Sequence, residues 1–119
     1  MSLQCVLVAE DEMIIGVDLC DTVEEAGYEV AGPYDTASSA IDSLKRRKPD
    51  LAILDVRLDD GEVYPLADAL IAANIPVIFH SGEVTPLEMS GRYPYAHALS
   101  KPCPPNQLIE TMREALAAA

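Results

Sequence analysis

Three carboxylates, Glu10, Asp11 and Glu12, stand together directly after an apolar run, Cys5 to Ala9. Other chemistry-bearing groups follow other apolar runs: Asp55 after LAIL (51–54), His80-Ser81-Gly82 after IPVIF (75–79), and Ser100-Lys101-Pro102 after YAHAL (95–99). If each run is a strand of one parallel sheet, all of these residues lie on one rim. Carboxylates crowded at a partly dehydrated rim repel each other and raise each other's pKa unless a cation intervenes. Hard oxygen donors with room for waters favour Mg²⁺. Lys101 is the only lysine outside the run Lys45 to Lys48, and a lone ammonium there can neutralise an incoming phosphoryl oxygen. Ser81 adds a hydroxyl donor. A carboxylate nucleophile, a divalent ion, an ammonium and a hydroxyl are the parts that phosphoryl transfer onto an aspartate requires. Asp55 is the expected nucleophile, because it stands alone at the end of the central apolar strand.

These residues can only meet if the elements before them line up. Strand and helix signals alternate from end to end, with no repeat, low-complexity tract or linker. CVLVA (5–9) and LAIL (51–54) are continuous apolar runs, as expected of strands buried on both faces. Residues 12–26 carry Ile15, Leu19, Val23 and Ala26 at helical spacing, and Gly27 follows where helices commonly end in a left-handed residue. YEVAGPY (28–34) reads as a strand near a sheet edge, since Pro33 cannot donate to a ladder. Asp35 or Thr36 caps a helix with Ala37, Ala40, Ile41 and Leu44 on one face. A polar loop, DVRLDDG, precedes a helix bearing Val63, Leu66, Ala67 and Leu70, with Pro65 tolerable in its first turn. Thr85-Pro86 is an N-cap and first-turn pair, but Gly91 and Pro94 leave room for only a short helix. After Pro104-Pro105 a last helix carries Leu108, Met112, Ala115 and Leu116. Five strand–helix units imply an α/β fold: a doubly wound five-stranded parallel sheet between two layers of helices. Ligands in such sheets bind at the carboxyl ends of the strands, near the point where strand order reverses.

The totals agree. A chain of 119 residues that is 50% hydrophobic makes one domain with one sizeable core. A formal charge of −12 repels nucleic acid and anionic membranes. The run Lys45-Arg46-Arg47-Lys48 reads as a helix C-terminus ahead of Pro49 rather than a phosphate patch. No apolar stretch approaches the roughly 20 residues of a membrane span, and no basic-then-apolar leader opens the chain, so a cytoplasmic location is expected. Cys5, Cys20 and Cys103 form no CxxC pair and are expected to be small, largely buried hydrophobes.

Taken in order, VLVAEDE, LAILDVRL, IFHSG and LSKP resemble the receiver domain of two-component response regulators, and the resemblance covers essentially the whole chain. It implies a flavodoxin-like strand order 2-1-3-4-5 and a phosphoacceptor rather than a turnover enzyme. It also implies that Asp55 accepts phosphate from the phosphohistidine of a histidine kinase or histidine phosphotransferase. Asp11 would bind Mg²⁺ directly, Glu10 largely through water, and the backbone carbonyl of Arg57 would complete the protein ligands beside Asp55. Ser81 and Lys101 would each hold a phosphoryl oxygen, and Pro102 would follow a cis peptide bond. The stretches DVRLDDGEVYPLADAL and RYPYAHALSKP are similar to a subgroup of stand-alone alphaproteobacterial receivers, with HSGE in place of that group's ATGY. With no output domain expected in these residues, signalling would pass through a downstream target protein.

The sequence also departs from the pattern. Leu58-Asp59-Asp60-Gly61 stands where most members have Met-Pro, and Gly82 replaces the usual Ala. Ala98 occupies the position of the inward-swinging aromatic. Two other functions therefore stay open: a binding module that works without phosphorylation, and an aspartate-nucleophile phosphatase. The second needs another acid two residues beyond the nucleophile, where this chain has Arg57. Arg57 and Glu83 should flank the mouth of the site and pair across it. Glu12, Asp59, Asp60 and Glu62 are expected to solvate loops and helix starts. His80 is expected to pack or hydrogen-bond rather than shuttle protons, His97 to be structural or part of a surface, and Tyr93 and Tyr95 either to pack or to form a partner patch.

Overall fold

A computed structural model describes residues 3–118. Its elements are β1 (Cys5–Ala9), α1 (Met13–Glu25), β2 (Glu29–Tyr34), α2 (Ala37–Ser43), β3 (Leu51–Leu54), β4 (Arg57–Leu58), β5 (Gly61–Glu62), α3 (Tyr64–Ala72), β6 (Val77–Ser81), α4 (Pro86–Arg92), β7 (His97–Ser100) and α5 (Pro105–Ala118). The main sheet has five parallel strands in the order β2-β1-β3-β6-β7. Numbered by chain position within that sheet, this is the expected 2-1-3-4-5.

The apolar runs of β1, β3 and β6 are buried along their whole length. Alternate side chains serve opposite layers, as the pleat dictates. Leu7, Ala9, Ala52, Leu54, Val77 and Phe79 join one core cluster with residues of α2 and α3. Val6, Val8, Leu51, Ile53 and Ile78 join the other, with Leu19 and Val23 of α1 and Leu108 and Met112 of α5.

Several boundaries move, for local reasons. The fourth main strand runs over Val77–Ser81 rather than 75–79. Pro76 has no amide to give a ladder, and His80 and Ser81 find partners in Leu99 and Ser100. The last strand likewise starts at His97, because Ala96 closes a turn onto the Tyr93 carbonyl at 3.1 Å. Thr36, not Asp35, caps α2, accepting from the Ser39 amide. That helix ends at Ser43 with Leu44 as its C-cap, so the basic run lies beyond it rather than in a helix C-terminus. Within the run Arg47 grips Glu29 of β2 with two bonds of 2.7 and 2.9 Å. The loop after Asp55 is an antiparallel hairpin, β4 against β5. Gly61 sits in it at φ 121°, which side chains disfavour.

Gly16 sets how closely α1 approaches the end of β2. A Cβ there would lie 2.9 Å from Pro33 Cβ and 3.6 Å from Glu10 Cβ. Neither the Pro33 ring nor the backbone that holds it yields easily. Gly16→Ala is therefore expected to destabilise the fold by about 1–3 kcal/mol, the usual cost of overpacking. Urea unfolding checks this, and an unchanged midpoint would show that α1 is free to shift.

Candidate metal and phosphoryl-transfer centre

The carboxyl ends of four parallel strands converge on one rim. The Glu10 amide continues the ladder to Tyr34 (2.8 Å), the Asp55 amide reaches Ala9 (2.9 Å) and the Lys101 amide reaches Ser81 (3.0 Å). These backbone bonds bring side chains far apart in sequence together. Lys101 Nζ donates to Glu10 Oε1 at 2.6 Å and to Asp55 Oδ2 at 3.0 Å. Glu10 is 2% exposed, and its Oε2 accepts from the Asp11 amide at 3.1 Å. Carboxylate oxygens of Glu10, Asp11 and Asp55 all lie within 4.8 Å of one another. Three hard oxygen donors in that space suit a small divalent cation such as Mg²⁺. Lys101 is the cation that the described residues supply to the same carboxylates.

Electrostatics divides the carboxylates into two kinds. Burial, and then the neighbouring Asp55, push the Glu10 carboxyl up to about 8, against the opposing pull of Lys101. Burial also acts to raise Asp55, but bonds from Glu10, Lys101 and the Arg57 amide outweigh it and hold this carboxyl below its ordinary value. The two shifts run in opposite directions: the protonated form is favoured at Glu10 and the ionised form at Asp55. Burial works against the Lys101 ammonium, yet the Glu10 and Asp55 carboxylates raise its pKa overall, so it stays charged. A desolvated, ionised carboxylate beside an ammonium is a competent nucleophile for phosphorus.

The remaining predicted residues divide. Glu10, Asp11, Asp55 and Lys101 are brought together. The Ser81 hydroxyl is buried and accepts from the amides of Glu83 and Val84, both at 3.1 Å, so it is engaged with its own loop. Arg57 lends its amide to Asp55, while its side chain turns outward to Glu83, Nε to Oε2 at 3.3 Å. The expected pair across the mouth is thus formed between two exposed side chains. A Cβ on Gly82 would stand 3.7 Å from Lys101 Cβ, in ordinary van der Waals contact. The Lys101–Pro102 peptide is cis, as is Gly32–Pro33.

His80 packs on the α1/α5 face, buried, with no partner for Nδ1. Burial, and then Lys101, lower its pKa, which keeps the ring neutral. Tyr93 packs on Phe79, whereas Tyr95 is exposed. Cys5 and Cys20 are buried and Cys103 half-buried. Sequence reasoning missed the work of Asp60. From the hairpin it accepts from the Ala37 and Ser38 amides at 2.7 and 3.0 Å, capping α2 from outside. The Asp59-Asp60-Gly61 run between two short strand-forming pairs was its signal. Among the described residues no helix is long and apolar enough to cross a membrane.

Comparison with known proteins agrees with this geometry. Over 69 residues the chain is 38% identical to the transcriptional regulatory protein PdtaR of Mycobacterium tuberculosis, a match that takes in 58% of this chain and 31% of that protein. It is 33% identical over 55 residues to the chemotaxis protein CheY of Thermotoga maritima, which takes in 46% of each chain. The chain therefore spans well under two thirds of these relatives in the matched region. The solution structure of the receiver domain of the PhyR response regulator from Erythrobacter litoralis superposes with a TM-score of 0.85 at 28% identity, covering 98% of this chain and 91% of that one. A family model described as the response regulator receiver domain matches residues 6–113, the span that holds all but the first residue of the sheet and the whole carboxylate–lysine centre, and this chain belongs to that family.

Proposed function

We propose that this receiver accepts a phosphoryl group onto Asp55 from a histidine kinase or histidine phosphotransferase and signals by changing which proteins it binds. The observation that supports it most is the fork of Lys101 Nζ between Glu10 and Asp55, with Asp11 alongside. Glu10, Asp11, Asp55 and the Arg57 carbonyl would hold Mg²⁺, directly or through water. When bound, that ion supplies charge neutralisation for the phosphoryl oxygens. Asp55 Oδ attacks phosphorus, the P–N bond of the phosphohistidine breaks, and the electron pair leaves with the imidazole. Lys101 neutralises one phosphoryl oxygen and Ser81 donates to another. Hydrolysis of the acyl phosphate by water resets the site. The result is a cytoplasmic phosphoprotein whose state is read through protein contacts.

The test is phosphotransfer from a panel of labelled histidine kinases, with and without Mg²⁺. Label should pass to this chain from at least one donor and only with the ion. The binding-module alternative draws its weight from Ala98 and the altered hairpin. It predicts no transfer and equal partner affinity for the wild type and Asp55→Asn.

We read the exposed Arg57–Glu83 pair, Nε to Oε2 at 3.3 Å, as a gate to water. Arg57→Ala and Glu83→Ala should each change the rate of autodephosphorylation, raising it as the mouth opens. If neither alters the decay of the phosphorylated chain more than about two-fold, a barrier change of only ~0.4 kcal/mol, the pair is no gate.

A further inference from the structure

The hairpin that follows Asp55 is tied down at its tip as well as at its base. Arg57 pairs with Glu62 and Leu58 with Gly61, which leaves Asp59 and Asp60 as the turn. At the base the Val63 amide donates to the Val56 carbonyl at 2.9 Å, and Val56, Leu58 and Val63 are buried. At the tip the Asp60 carboxylate spans two amides in the first turn of α2. Its Oδ1 accepts from Ala37 at 2.7 Å and its Oδ2 from Ser38 at 3.0 Å. These amides hold the Asp60 carboxyl below its ordinary value, so it serves as a carboxylate. The Asp59 amide adds a bond to the Asp35 carbonyl at 2.9 Å. The helix has a cap of its own, since Thr36 Oγ1 accepts from the Ser39 amide at 3.1 Å. What Asp60 adds is a link between α2 and the hairpin.

We propose that Asp60 is a positioning residue for the cation: by clamping the hairpin tip to the first turn of α2, it fixes the Arg57 carbonyl at the rim before Mg²⁺ arrives. The inference deepens the reading of the rim as a Mg²⁺ site and rests on it. A hairpin with two residues in each strand has little stability of its own. Burial of Leu58 holds it against the core, but apolar burial is non-directional. Hydrogen bonds are directional, so the bonds at the tip set the tilt of the strand that carries the Arg57–Leu58 peptide. Arg57 borders the rim on both sides of its α-carbon. Its amide donates to the Asp55 carboxylate, and its carbonyl is the backbone ligand assigned to the ion. Asp60 is spent on α2 and acts only through that carbonyl. A group that orients a metal ligand from behind is typically worth 10–100-fold in metal affinity.

Arg57–Leu58 is the only Arg-Leu pair in the chain, which makes the test direct. The whole chain is labelled with carbonyl-¹³C arginine and ¹⁵N leucine, so a single carbonyl–amide correlation reports the Arg57 carbonyl. Mg²⁺ alone is titrated in at fixed pH, with calorimetry in parallel and no phosphodonor present. In the wild type the Arg57 line should move saturably with the ion. Asp60→Ala should weaken Mg²⁺ binding roughly ten-fold, with the urea midpoint showing that the chain is folded. Asp60→Asn keeps one acceptor oxygen and should lose roughly three-fold; it carries the test if Asp60→Ala does not fold. Two controls separate the clamp from other causes. Asp59→Asn removes the same charge from the exposed neighbouring turn residue, and Thr36→Ala removes the other cap of α2. Both should bind within about two-fold of the wild type, since an exposed charge is screened and the clamp is kept. A loss below about three-fold in Asp60→Ala, or below about two-fold in Asp60→Asn, overturns the proposal. An equal loss in Asp59→Asn overturns it in favour of charge alone, and an equal loss in Thr36→Ala in favour of helix stability alone. Saturable binding that leaves the Arg57 line in place overturns the route through the carbonyl. A wild type that shows no saturable binding overturns the Mg²⁺ reading itself, and this inference with it.

Discussion

Asp55→Asn takes up no phosphate: labelling from phosphohistidine donors and from acyl phosphates falls by at least about 10³-fold, the scale seen when a nucleophile is removed. The physical reason is local. An amide oxygen carries no negative charge and cannot displace imidazole from phosphorus. The substitution is nearly isosteric, and Asn can still accept from Lys101, so the fold should survive. It also removes a like charge from beside Glu10, which relieves rather than strains the cluster. Circular dichroism and the urea midpoint confirm the fold, and radiolabel uptake measures the loss. Labelling of the folded variant at a rate near that of the wild type would place the nucleophile elsewhere.

Binding of Mg²⁺ should be steeply pH-dependent, and the sign follows from Glu10. Its carboxyl is raised from 4.5 to about 8, with burial as the main cause and Asp55 as the next. A cation that uses this carboxylate must displace its proton. Apparent affinity should therefore rise roughly ten-fold per unit between about pH 6 and about pH 8, then level off, with close to one proton released per ion near neutrality. Stability of the metal-free fold runs the other way. A group whose folded pKa is raised contributes stability below its unfolded value and loses it as pH climbs through the folded one. Metal-free protein should thus weaken between about 4.5 and about 8, and Mg²⁺ should restore it at the upper end. Titration calorimetry in buffers of different ionisation heat measures the protons released. Glu10→Gln should flatten the pH dependence and weaken binding. An affinity that does not change over this range would mean that Glu10 is ionised before the ion arrives.

The centre was legible because it sits at strand ends. A short continuous apolar run such as CVLVA or LAIL reads as a strand buried on both faces, and the residue after it then lies on the rim. Glu10, Asp11, Asp55 and Lys101 follow from that rule alone, and all four meet. Pairings of polar groups with their own loops were not legible. Ser81 lies where expected, but its hydroxyl serves the Glu83 and Val84 amides, a choice set by the geometry of a turn. Asp60 caps a helix that begins 23 residues before it, a contact that periodicity cannot encode. Lys45 to Lys48 looked like a helix end because four cations stand directly before Pro49, yet α2 stops at Ser43 with Leu44 as its C-cap. Helix ends are decided by backbone partners, and the Arg47 guanidinium is engaged elsewhere, on the Glu29 carboxylate of β2. The shifted strands, too, depend on which neighbour supplies a ladder, as His80 and Leu99 show.

The most direct measurement is intact-mass spectrometry of the wild-type chain after exposure to Mg²⁺ and an acyl phosphate, followed by mapping of the modified residue. The reading offered here predicts one phosphoryl group per chain, carried on Asp55, labile as an acyl phosphate should be, and absent when the ion is withheld. A chain that stays unmodified, or that carries its phosphate on any other residue, contradicts it.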